Sequence, residues 1–181
     1  KKWIDEGRLG QLQEVRIVWT VENWANQNRK WSWKTDAQQG GGVLTTLGAH
    51  VCFLIDWFCG PAEVIRVDVR NDVIADFAPQ GAMPAEHRVE AQLKARAVEI
   101  DMLLDNGNRT VPLHRWVFVG DRGTAILENT SKDYFGGFIL RCDIDKSEIT
   151  EKTSANDDRR FIAFQRIAQG FVDALRRGQP G

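Results

Sequence analysis

Among the few histidines of the chain, His50 has the setting that best supports chemistry. It ends the stretch "GGGVLTTLGAH", residues 40–50. Imidazole titrates near neutrality and can take up or release a proton at physiological pH, which suits a general acid/base. Gly40, Gly41 and Gly42 lead into an apolar run with helical spacing. Glycine inside a helix costs about 1 kcal/mol relative to alanine. The triplet therefore marks a place where backbone must approach another surface, or where side chains would block His50. The competing reading is a hydrogen-bonded histidine between helix and sheet with no chemical role. A phosphate-loop reading also arises, because helix N-termini bind anions. No Lys-Ser/Thr follows the glycines, and that pattern fails.

Trp33 and Lys34 stand in a polar, irregular stretch, "NWANQNRKWSWKTDAQQ". An indole face beside a cation suits a sugar ring, a carboxylate or a phosphate. Equally, a buried indole could simply anchor a long loop. Trp31 would share a face with Trp33 if the segment is extended, since side chains alternate there with period two. Thr46 precedes His50 by four residues and shares its helical face, whereas Asp56 falls on the other side. His87 and His114 lack partners at ligand spacing and read as structural or solvent-exposed. Cys52, Cys59 and Cys142 are odd in number and lack zinc-type pairing; they read as inert core residues in a reduced, cytoplasmic setting.

Elements that could position these groups follow from periodicity. Lys1 to Glu6 supplies a helical turn that Gly7 stops. "EVRIVWTVE" alternates as a half-buried strand, with Val15, Ile17, Trp19 and Val21 on one face. Val43 to Phe58 reads as a helix ended by Gly60-Pro61. "AEVIRVDVR" and "RVEAQLKARA" alternate again, and a slip of phase near Val98 indicates a bulge. Asn106-Gly107 is a hairpin signal. Thr110 to Val119, Thr124 to Glu128, Phe138 to Lys146 and Glu148 to Thr153 are further strands. A last helix runs from about Asp157 to Arg177, capped by Asn156 or Asp157, with Phe161, Phe164, Ala168, Phe171 and Leu175 as its apolar stripe. The expected fold is α+β: a mostly antiparallel open sheet of about six strands with helices packed on one face. The helix-covered face should hold Val15, Ile17, Trp19, Ile65, Val67, Val69, Val89, Ala91 and Leu93.

The chain has 181 residues, 24 Lys and Arg against 25 Asp and Glu, and seven tryptophans. This length fits one domain able to bury roughly 70% of its unfolded surface. A formal net charge of -1 argues against nucleic acid or a membrane patch as the partner. No apolar run approaches the ~18 residues of a membrane span.

Three stretches together resemble the C-terminal domain of Gfo/Idh/MocA (glucose–fructose oxidoreductase/inositol dehydrogenase-type) enzymes. "DEGRLGQLQEVRIVW" is similar to its strand entry. "WSWKTDAQQGGGVLTTLGAHVCFLIDWFCG" is similar to its signature, and "FVGDRGTAILE" to a strand pair. The resemblance implies a substrate-binding and oligomerisation domain, residues 1–181, of an NAD(P)-dependent oxidoreductase acting on a sugar, polyol or related hydroxy compound. It implies His50 as general acid/base, Trp33, Lys34 and Thr46 at the substrate, and Gly41 and Gly42 near the cofactor. Thr46 stands where the family commonly has aspartate. No Gly-x-Gly-x-x-Gly follows a strand, and Glu151-Lys152-Thr153 does not match the Glu-Lys-Pro of the family's nucleotide half. NAD or NADP is thus expected in a full-length protein, none on this chain alone, and the isolated chain should be inactive. Relatives commonly pair through the open sheet face, which implies a homo-oligomer here. The alternative is a non-enzymatic sugar-binding or scaffold module.

Overall fold

The alternating segments condense into one sheet. The computed structural model describes residues 1–107, 112–131, 137–144, 146–150 and 159–178. A short α1 (Lys2–Asp5) precedes β1 (Leu12–Thr20). Next come α2 (Trp24–Gln27), two 3-10 turns (Trp33–Thr35 and Ala37–Gln39), a π turn (Leu44–Gly48) and α3 (Ala49–Cys59). β2 (Glu63–Arg70), α4 (Asp72–Ala75), β3 (Arg88–Ala95) and β4 (Val98–Asp105) follow. The described part ends with β5 (Leu113–Gly120), β6 (Thr124–Asn129), β7 (Ile139–Cys142), β8 (Glu148–Thr150) and α5 (Arg159–Arg176). The strands lie in the order β2-β3-β4-β1-β5-β6-β7-β8. All neighbours are antiparallel except β1 and β4. The architecture is α+β with one open sheet of eight strands, more than the sequence pattern indicates.

Two local readings account for part of that difference. The slip near Val98 is a hairpin: Arg96, at φ 55°, and Ala97 turn β3 back into β4. The returning strand restarts the alternation, which in sequence mimics a bulge. Asn106-Gly107, conversely, is no hairpin turn, because β1 lies between β4 and β5. Asp105 Oδ1 instead accepts the Gly107 N–H at 2.9 Å, and a Cβ on Gly107 would come within 2.7 Å of the His87 ring.

One face of the sheet carries the core. Val51 and Ile55 of α3 are buried with Val15 and Ile17, Ile100 and Leu104, and Trp116 and Phe118 from β1, β4 and β5. Each fully buried aliphatic side chain contributes about 1.5–3 kcal/mol, so this contact holds α3 against the sheet. Val89 and Ala91 are buried, and Trp19 and Leu93 half-buried, as the alternation predicts. Ile65, Val67 and Val69 depart from it, at 62%, 52% and 52% exposed. They share a face with buried β3 residues through the pairs Val67–Ala91 and Val69–Val89, but β2 is the sheet edge and α3 does not reach over it. The last helix corrects the expectation in the same way. Its Phe164, Phe171 and Leu175 form an exposed stripe, so α5 is not packed on the sheet by these residues. The proposed cap at Asn156 or Asp157, residues 151–153 and the Thr110 strand start lie outside the described residues.

One stretch does reach the length and composition of a membrane span: Ala37–Cys59, with mean hydropathy 1.5. Val43, Val51 and Ile55 within it are buried in the core of this fold. Of the cysteines, only Cys142 is buried; Cys52 is exposed and Cys59 half-buried, its thiol pushed up by burial. Cys52 therefore corrects the reading of all three as core residues: it lies exposed on α3.

Candidate active site

The Trp loop is built from short, capped turns. Thr35 is fully buried; its hydroxyl accepts the Ser32 N–H at 3.0 Å and donates to the Ser32 carbonyl at 2.9 Å. Asp36 caps the next turn, accepting the Gln38 N–H at 3.0 Å and the Gln39 amide at 2.8 Å. Trp33 and Lys34 thus sit in a 3-10 turn rather than an extended segment. Trp31 is half-buried, Trp33 is exposed, and Lys34 Nζ lies 5.7 Å from the Trp33 ring centroid. One indole anchors the loop while the other faces outward with a cation beside it.

The glycine triplet closes this loop onto the helix. Gly40, at φ 75°, ends the second 3-10 turn. The Gly41 N–H bonds the Asp36 carbonyl at 2.9 Å and the Gly42 N–H the Lys34 carbonyl at 3.0 Å. A side chain on Gly41 would strike the Trp33 carbonyl, and one on Gly42, at φ 118°, the Glu86 carboxylate. The close approach that the glycines permit is therefore in part to the chain itself. Glu86 was not singled out by the sequence. Its Oε1 accepts the Leu44 N–H at 2.9 Å and its carbonyl the Val43 N–H at 2.9 Å. A carboxylate thus occupies the helix start that an anionic ligand would otherwise favour. No local pattern announces a cap supplied from 42 positions along the chain.

Beyond the cap the helix opens into a π turn, where the Ala49 N–H reaches back to the Leu44 carbonyl. Single π turns occur often at functional sites. The Thr46 hydroxyl donates to the Gly42 carbonyl at 2.8 Å. His50 follows in the first turn of α3, exposed and without a hydrogen-bond partner among the described residues. Phe53 and Trp57, at 69% and 51% exposed, continue its face at i+3 and i+7. The structure therefore links Lys34, Gly42 and Thr46 by backbone and hydroxyl hydrogen bonds, and carries His50 on the helix they start.

The other histidines are structural in different ways. His87 is buried, with Nε2 3.7 Å from an Asp72 oxygen and Nδ1 unpaired. Burial holds its pKa low against the pull of Asp105 and Asp72. His114 stacks on Trp19 with 4.1 Å between ring centroids, and burial pushes its pKa down to about 4. Among the described residues, no three His, Cys, Asp or Glu side chains cluster as a metal site would need.

Residues 1–126 match the GFO/IDH/MocA C-terminal domain, and the chain belongs to that family. It is 27% identical over 148 residues to the uncharacterized oxidoreductase sll0816 of Synechocystis sp., covering 76% of this chain and 39% of that protein. The chain thus spans well under half of that relative's length. Among solved structures, levoglucosan dehydrogenase with NADH and levoglucosan is similar at TM-score 0.76 and 14% identity, over 99% of this chain and 53% of that one. KijD10, a 3-ketoreductase from Actinomadura kijaniata with NADP and TDP-benzene, is similar at TM-score 0.68 and 16% identity, over 99% and 50%. The WlbA dehydrogenase from Bordetella pertussis with NADH and UDP-GlcNAcA gives TM-score 0.57 and 18% identity, over 72% and 39%. At these identities the likeness is one of fold.

Proposed function

We propose that this chain is the substrate-binding and oligomerisation domain of an NAD(P)-dependent oxidoreductase acting on a sugar, polyol or related hydroxy compound. The observation that carries the reading is His50, exposed at the start of a helix that Gly41, Gly42 and Glu86 lock in place. The nicotinamide, when bound, supplies the hydride acceptor. In the full-length protein the cofactor is held by the nucleotide half that the family resemblance implies. Gly41 and Gly42 can approach it through backbone alone. His50 takes the hydroxyl proton as the alcohol is oxidised and returns it in the reverse direction. Trp33 offers an apolar face to the sugar ring and Lys34 a cation to its oxygens.

The test is NAD(P)-linked oxidation by the full-length protein, with D-glucose, levoglucosan, myo-inositol and UDP-GlcNAcA as substrates. Turnover on at least one is expected; no turnover on any would overturn the reading. A specific observation favours the second reading, a non-enzymatic sugar-binding module. Thr46 gives its hydroxyl hydrogen to Gly42 and supplies no charge beside His50. Sugar binding without turnover in that experiment would select it.

Oligomerisation through the open sheet face is part of the proposal. A half-buried apolar band of Val18, Leu103, Val117 and Ile126 crosses that face. It is flanked by Arg16, Arg66 and Arg70 and by Asp68, Glu90 and Asp101, which line a groove of about 480 Å³. Mixed charge around an apolar centre suits self-pairing about a two-fold axis. Light scattering at micromolar concentration is expected to give a dimer; a clean 20.5 kDa monomer would show that the face is solvated.

A further inference from the structure

The sheet ends on β2 at one side and on the short β8 at the other. All of β2 is exposed, and among the described residues its hydrogen-bonded neighbour is β3 alone. Its outer edge therefore presents backbone donors and acceptors without strand partners. The Arg70 carbonyl accepts the His87 N–H at 2.9 Å, which turns the backbone groups of Arg70 toward β3. Alternation turns those of Asp68 and Arg66 the same way, and those of Val67 and Val69 outward. The β2–β3 register shifts between Val64 and Arg66, and from Arg66 to Arg70 the pairing is regular.

The strand that this edge fits is β2 itself. With a two-fold axis at Val67, an antiparallel pair sets Val67 against its own copy, where the two exchange both backbone hydrogen bonds. Arg66 then faces Asp68 of the second copy, and Asp68 faces Arg66. These two charge pairs fall at the non-hydrogen-bonded positions, where Cα atoms stand about 4.5 Å apart and side chains are closest. Arg66 makes no ion pair of its own among the described residues. Val69 falls opposite Ile65, so apolar groups that are 52% and 62% exposed in one copy meet across the seam. Other registers fit less well. An axis at Arg66 or Asp68 sets like charges face to face. One at Val69 keeps only residues 68–70 of β2 in register, and one at Ile65 falls on the irregular stretch.

We propose that the β2 edge is an interface between two copies of this chain, paired antiparallel about Val67 so that two sheets become one. This is strand addition with the chain as its own partner. It is separate from pairing through the open sheet face. Arg66, Asp68 and Arg70 line the groove on that face, whereas Val67 lies on the opposite side with Ala91. One strand pair buries little area, so the edge contact is the weaker of the two and forms at higher protein concentration.

Cross-linking of the full-length protein tests the register. In a Cys52→Ser background, which removes the exposed native thiol, Val67→Cys sets two thiols face to face, with Cα atoms about 5.5 Å apart. A bismaleimide with a two-carbon linker is expected to join them into a covalent dimer. Val69→Cys should stay uncoupled, because its own copy lies about 14 Å along the strand, and so should the background. Val67→Lys sets two ammonium groups on the axis. The concentration at which the mass doubles, read by light scattering from micromolar to submillimolar, should rise roughly tenfold or more, with the open-face dimer unchanged. Val67 is half exposed, so the variant is expected to fold; if it does not, the cross-linking pattern decides alone. A thiol at 67 that takes a monofunctional maleimide but never cross-links would show an edge without a partner. One that neither labels nor cross-links would show that another segment of the full-length chain covers the edge. Equal coupling through Val69→Cys would show collision rather than a fixed register. Each of these overturns the proposal and leaves the oxidoreductase reading and the open-face dimer intact.

Discussion

In the full-length protein, His50→Ala is expected to lower kcat by roughly 10²–10⁴-fold, the usual worth of a general acid/base, while barely changing the melting temperature. The asymmetry follows from the surroundings of the side chain. His50 is exposed and makes no hydrogen bond among the described residues, so truncation leaves no buried cavity and no orphaned partner. The residues that fix the helix start are different ones: Gly41, Gly42 and Glu86 hold the backbone without touching the imidazole. Thr46 is tied to the Gly42 carbonyl. Any group that tunes His50 must therefore come from outside the described residues. Steady-state kinetics beside a thermal melt decide the matter. Near-normal turnover would show that His50 has no part in the chemistry.

What the sequence revealed of this site, and what it hid, divides along the range of the interactions. The glycine triplet and the helix after it are local features, set by neighbouring residues, and both are recognisable in the text of the chain, whereas the exposure of Trp33 is not, since the same text also suits a buried indole that anchors the loop. Nor is Glu86, because capping from a distant loop leaves no periodic trace. The same rule separates the strands. β1 and β3 show their buried faces through alternation, and the structure buries them accordingly. β2 alternates just as clearly, yet Ile65, Val67 and Val69 are exposed. Periodicity says which residues share a face, not whether another element covers it. The β3–β4 turn was hidden for another reason. Arg96 takes a left-handed φ without the Asn-Gly or Gly-rich pair that marks most two-residue turns. His114 gave no signal at all, since the meaning of its position comes from Trp19 on a neighbouring strand and Trp116 two residues on.

Acid should destabilise this fold earlier than its carboxylates alone would dictate, and His114 is the main cause. Unfolded, its imidazole titrates at about 6.5; folded, burial pushes it down to about 4. Above pH 6.5 both states hold the ring neutral, and the group contributes nothing to the pH dependence. Below that, the unfolded chain binds a proton that the folded chain refuses, so stability falls with pH until the folded ring also titrates near 4. A shift of this size corresponds to roughly 3 kcal/mol lost across that window, a large fraction of the 5–15 kcal/mol typical of a domain. His87, whose pKa is lowered mainly by burial, adds in the same direction. Glu128 acts at lower pH. Burial raises its pKa, but hydrogen bonds from Arg115 and Arg141 outweigh that and leave it depressed, so its contribution disappears only as the pH falls below the ordinary carboxylate range. Urea unfolding at pH 7, 6, 5 and 4 separates these effects. The His114→Phe variant should lose about 3 kcal/mol less than wild type between pH 6.5 and 4. Equal slopes in the two proteins would mean that His114 takes up its proton in the folded state, and the stack on Trp19 would then have to accommodate an imidazolium.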